Sequence, residues 1–217
     1  MAIVRYLASD ILRSQRWMAA FILYATGVLL INSGGGTLLG TFAAYSAFVL
    51  IGSVWISVVA LTSEDPTQAQ ITAVTVGGPT RLRLAKLATA GIGCAIVVVA
   101  SALVPLALHN YSGPTRAGDI GEGIAALIVT VIAGVAIGAV VTRPVIRRSG
   151  WAFLLAAVAV LADTLVPGAP PTRQILGRFS ADHPSHIGPF VLEIVVETVL
   201  LAAVLVTGST IVARRRD

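Results

Sequence analysis

Six apolar runs, parted by polar breaks, govern what this chain can become. They cover residues 17–31, 38–61, 84–108, 124–141, 151–166 and 190–212. A helix crossing a bilayer needs about 20 mostly apolar residues, because the hydrocarbon core is roughly 30 Å thick and each residue advances about 1.5 Å. The first and fifth runs are short and need tilt or flanking residues to span. The breaks are NSGGGT, the stretch 62–83, HNYSGPTRAGDIGE, TRPVIRRSG and PGAPPTRQILGRFSADHPSHIGP, and Gly, Pro or charge marks each of them. Only 12% of the residues are charged, about half the share in soluble domains. Because the runs recur evenly, the expected fold is all-α, a single transmembrane domain over 1–217 with six transmembrane helices.

Basic residues orient such a chain, since cytoplasmic loops are enriched in Lys and Arg. Arg5, Arg13 and Arg16 precede the first run, and Arg81, Arg83 and Lys86 lead into the third. Arg143, Arg147 and Arg148 separate the fourth from the fifth, and Arg214, Arg215 and Arg216 follow the sixth. These clusters hold 12 of the 15 basic residues, leaving Arg116, Arg173 and Arg178 for the other side. An even number of spans with both termini cytoplasmic fits this bias. The net charge of +5 does not point to nucleic acid, because the basic residues lie at the ends of apolar runs rather than on one soluble face. Cys94, the sole cysteine, cannot form an internal disulfide.

Residues 1–16 place Ile3, Val4, Leu7, Ala8, Ile11 and Leu12 at helical spacing among Arg5, Asp10, Arg13 and Arg16. That pattern predicts an amphipathic interfacial helix. A signal peptide is the rival reading, but the charges run through residue 16 and no small-x-small cleavage site followed by a soluble domain appears.

The stretch 62–83 is the longest polar interruption in the first half. Asp65 is a good N-cap, Pro66 suits the first helical position and Gln68 stands where a capping box wants it. Gly77 and Gly78 supply a left-handed C-cap, and Pro79 stops continuation. A helix over 66–76 is therefore expected, too short and polar to cross the membrane, acting as a structural cap or a docking element.

Taken together, these features resemble a permease subunit of the ABC-2 type of ABC transporter. The order of Glu64, the helix 66–76, Gly77-Gly78-Pro79, Arg81 and Lys86 is similar to the segment that leads into the third span of that family. The helix here lacks the acidic-basic pair often found after the first Glu. The resemblance implies an elbow helix over 1–16, a cytoplasmic coupling loop over 62–83 that docks on an ATPase, and an extracellular connection over 167–189. It assigns ATPase coupling to Glu64, Asp65, Pro66, Gln68, Gln70 and Arg81. It further implies a plasma-membrane protein that exports its substrate. The partners would be a second permease subunit, the same or homologous, the lipid bilayer, and a separate ATPase that carries ATP and Mg. Lys86, the one lysine, follows Leu84-Ala85, so this chain has no phosphate-binding loop and no cofactor of its own.

Asp163, Glu193 and Glu197 fall in or near the outer halves of the last two runs. Buried acids are costly in a membrane. They read either as a cation-attracting or proton-handling patch in the pathway, or as groups in a wet vestibule paired with Arg173 or Arg178. Asp182, His183 and His186 are a weak metal motif on a Pro-containing loop. TRQILGRF, within the last connection, could form a short re-entrant helix. Gly134 and Gly138 form a Gly-x-x-x-Gly, expected to serve packing inside the chain. No Gly-x-Ser-x-Gly, His-Glu-x-x-His or paired-Asp metal motif is present, so no enzyme activity is expected. A proton-coupled secondary transporter using the three carboxylates is the alternative to the ATP-driven exporter, and a non-transporting membrane scaffold is a third reading.

Overall fold

A computed structural model describes residues 2–109, 111–112, 116–142, 149–165, 172–179 and 187–216. The described residues form helices throughout, with no strand among them: α1 (Ala2–Arg13), α2 (Met18–Gly34), α3 (Leu38–Leu61), α4 (Pro66–Val76), α5 (Pro79–Leu108), α6 (Ala117–Val141), α7 (Ser149–Leu165), α8 (Thr172–Phe179) and α9 (Ile187–Arg216). Each of the six apolar runs falls largely within one helix, α2, α3, α5, α6, α7 or α9. Among the described residues, three helices are long and apolar enough to cross a bilayer: Leu38–Leu61, Pro79–Leu108 and Gly118–Val141. The pair Ile3–Arg13 and Met18–Gly34 passes the same test jointly but is bent by 75°. Trp151–Thr164 is apolar but shorter; the 17 residues of α7 reach only about 25 Å. These long apolar helices are those of a membrane protein.

α5 and α6 start earlier than their apolar runs. Pro79 opens α5 directly after Gly78, because the same Gly-Gly-Pro that stops α4 supplies the first helical position of the next helix. α6 starts at Ala117, where the Asp119 carboxylate accepts a hydrogen bond from the Arg116 N–H at 2.9 Å and satisfies an otherwise orphaned donor.

α3 is the central helix. One side meets α6, where Gly134 and Gly138 lie directly against Ser53 and Ser57 of α3. A Cβ at either glycine would collide with those serines, so the absence of side chains lets the two backbones approach. The Gly-x-x-x-Gly thus packs within the chain, as expected. Leu50, Val54 and Val58 of α3 pack with Ala156 and Val160 of α7. Tyr24 of α2 shares a 2.6 Å hydrogen bond with Ser101 of α5, and Asn32 donates to the Tyr45 hydroxyl at 2.7 Å. These bonds satisfy polar groups within an apolar bundle.

TRQILGRF does form a helix, α8. Its Ile175 and Phe179 are fully buried against Leu39 and Ala43 of α3, Ala126 and Val129 of α6 and Ile194 of α9. α8 therefore fills a gap among three longer helices.

The links between helix ends sort the chain into two poles. At one, the Trp55 indole donates to the Arg16 carbonyl at 3.2 Å, and Arg83 donates to the Ala139 carbonyl at 3.0 Å. At the other, the Ser112 N–H donates to the Gly36 carbonyl at 2.8 Å. Arg5, Arg13, Arg16, Arg81, Arg83 and Lys86 therefore belong to one pole. Arg143, Arg147 and Arg148 lie outside the described residues.

Candidate functional site

The junction of α3, α4 and α5 carries the most organised polar chemistry of the chain. Glu64 follows the end of α3 and Lys86 is in the second turn of α5. Lys86 Nζ lies 2.9 Å from Glu64 Oε2, and both side chains are buried, at 8% and 0% exposure. The other oxygen, Oε1, accepts from the Thr72 hydroxyl of α4 at 2.9 Å. One carboxylate thereby ties α4 to α5. Such a pair is costly to break singly, because either partner alone leaves a buried charge without compensation.

A second tie reaches α1. Gln68 Nε2 donates to the Tyr6 hydroxyl at 2.8 Å. This corrects the capping box expected from Gln68, which has turned to another helix. Asp65 likewise takes the extended backbone of an N-cap, φ −62° and ψ 151°, yet its side chain makes no capping hydrogen bond. At the other end the expectation holds: Gly77 is left-handed at φ 88°, and the Gly78 N–H donates to the Ala73 carbonyl at 2.7 Å, closing the helix with a Schellman turn. Arg81 lies over Gly77 and is exposed.

The two sides of α4 differ. Gln68, Thr72 and Val76 share the side that meets Glu64 and Tyr6. The other side presents Thr67, Gln70, Ile71 and Val74, all exposed; Ile71 is 65% and Val74 82% exposed. Of the residues assigned to coupling, Glu64 is therefore internal, Asp65, Gln68, Gln70 and Arg81 are at the surface, and Pro66 opens the helix. Composition alone hid Thr72, Tyr6 and the pairing of Glu64 with Lys86. One signal did exist: the only lysine of the chain opens an apolar helix, and such a charge needs a partner.

The three carboxylates of the last two spans do not converge. Asp163 on α7 is buried, with its carboxyl against Thr172 at the start of α8; its Oδ2 has no hydrogen-bond partner. Glu193 and Glu197 are instead exposed on α9. The side chains of Arg173 and Arg178, and Asp182, His183 and His186 entirely, lie outside the described residues. Among the described residues, no group of three His, Cys, Asp or Glu could hold a metal ion.

Compared with protein-family models, with curated proteins and with solved structures, the chain matches none.

Proposed function

We propose that this chain is the transmembrane permease subunit of an ATP-driven exporter, paired with a second permease subunit and driven by a separate ATPase. The observation that carries the reading is the two-sided character of α4. Glu64, Lys86, Thr72, Gln68 and Tyr6 hold one side to α1 and α5, while Ile71 and Val74 stand out on the other. A helix anchored by a buried ion pair moves with the helices it is anchored to. Exposed apolar residues on a helix too short to span gain from a partner that covers them. α4 would then transmit ATP-driven motion of the ATPase into α3 and α5, opening a pathway between the two permease subunits. The pole that gathers the basic residues would be cytoplasmic, in a multi-pass protein of the plasma membrane. Six spans, with α1 as an elbow helix and α7 tilted or supplemented by flanking residues, complete this reading.

Ile71→Asp/Val74→Asp tests it. The tagged wild type, purified in mild detergent from its own host, is expected to bring a stoichiometric ATPase and ATP hydrolysis. The double variant is expected to keep its thermal midpoint and lose both. A wild type that purifies without any ATPase activity would overturn the proposal.

One observation favours a second reading, a proton-coupled secondary transporter: Asp163 is buried with an unpartnered carboxylate oxygen, as a group that takes up and releases a proton would be. Uptake or efflux driven by an imposed pH gradient in proteoliposomes without ATP, abolished by Asp163→Asn, separates it from the first.

A further inference from the structure

The bend between α1 and α2 is built, and it collects charge. Gln15 adopts a left-handed backbone at φ 56°, a conformation uncommon outside glycine. The Trp17 indole donates back to the Leu12 carbonyl at 3.1 Å, and the Trp55 indole of α3 donates to the Arg16 carbonyl at 3.2 Å. Two indole N–H groups thus hold the 75° turn. On the apolar side of α1 Leu7 is fully buried, and Ile3, Val4, Ala8 and Ile11 are half-buried. Its outer side carries Arg5, Ser9, Leu12 and Arg13, all exposed, and Arg16 is exposed in the turn itself. Among the described residues, none of the three arginines is in an ion pair.

Directly beyond the turn, α2 presents an apolar strip. Met18 is 43%, Phe21 58% and Ile22 59% exposed. Arg13 and Arg16 therefore border, along the chain, an apolar strip of α2, and Arg5 lies two turns back on the same side of α1. A free phosphate would use the charge and ignore the strip. A phospholipid uses both, with its headgroup on the arginines and its acyl chains along Met18, Phe21 and Ile22.

We infer that the α1–α2 bend is a binding site for an anionic phospholipid, its phosphate held by Arg13 and Arg16, with Arg5 about 12 Å back along α1 adding to the positive field. This inference is independent of any ATPase partner and rests only on α2 facing the bilayer. Juxtamembrane basic residues add attraction to anionic lipid, roughly fivefold in affinity for each arginine.

The test uses the full-length protein in nanodiscs of phosphatidylcholine with and without phosphatidylglycerol. Retained phosphatidylglycerol is counted by native mass spectrometry after extraction, and the thermal midpoint is read in both discs. Wild type is expected to keep the lipid and to gain stability from it. R5Q/R13Q/R16Q is expected to lose retention and the gain, while matching wild type in pure phosphatidylcholine. R5K/R13K/R16K is expected to keep most of both, and it carries the test should the glutamine variant not fold. Retention by the glutamine variant equal to wild type would overturn the inference, as would loss in the lysine variant. So would competition by water-soluble glycerophosphoglycerol as strong as by the lipid, or a lipid requirement that maps instead to R214Q/R215Q/R216Q.

Discussion

Lys86 Nζ lies 2.9 Å from Glu64 Oε2, with both side chains buried, and this contact closes the turn from α3 through α4 into α5. Removing one partner strands the other. Lys86→Met is therefore expected to destabilise the protein by about 3–5 kcal/mol, and Glu64→Gln/Lys86→Met to recover much of that loss. Thermal unfolding of the single and double variants in one detergent checks this. A double variant as unstable as the sum of the singles would mean the two residues do not act as a pair.

The α3–α6 contact makes a second prediction. A side chain at Gly134 or Gly138 collides with Ser53 or Ser57, so Gly134→Val and Gly138→Val are each expected to cost about 1–3 kcal/mol or more. At Gly91 of α5 an added Cβ meets nothing within 4 Å. Gly91→Ala should be neutral, or stabilising by roughly 0.5–1 kcal/mol, since glycine disfavours a helix interior. Monodispersity and midpoint of the three variants decide it; equal effects at all three positions would refute the packing argument.

Glu193 and Glu197 are exposed on α9 among the exposed Leu192, Val196, Leu200 and Val204. An ionised side chain in hydrocarbon costs about 3 kcal/mol near a span's centre, so this side of α9 is expected to meet water. Glu197→Cys should react with a membrane-impermeant thiol reagent, and Leu200→Cys should react more slowly. The native background is low, because Cys94 is fully buried. A Glu197→Cys that resists the reagent in intact vesicles would place this side against lipid or protein.

Asp163 offers a contrast between stability and activity. Its carboxyl is buried with Oδ2 unpartnered, and an ionised group so placed costs more than a neutral amide of the same shape. Asp163→Asn should raise the thermal midpoint while keeping a polar group beside Thr172. If transport falls in the same variant, the carboxylate is held there for function; a lowered midpoint would show that its charge supports the fold.

Much of the helical architecture was legible in the chain itself. The 66–76 helix, its Gly77 stop and the Pro79 restart follow from residues within a turn of one another, because helix initiation and termination are settled by local backbone hydrogen bonds and by the φ values that Gly and Pro allow. The apolar runs marked α2, α3, α5, α6, α7 and α9 for the same reason: an apolar segment of that length satisfies its own backbone only as a helix. What no local rule could supply is the choice among partners. Asp65 and Gln68 had the right spacing for a capping box, yet Gln68 met Tyr6, 62 residues away, and the Asp65 side chain was left uncapped. Glu64 met Lys86 across the whole of α4, Gly134 and Gly138 met the serines of α3, and α8 was drawn into the core by Ile175 and Phe179. A side chain with several possible partners takes whichever the packed helices bring within reach, and that proximity exists only once the bundle has formed.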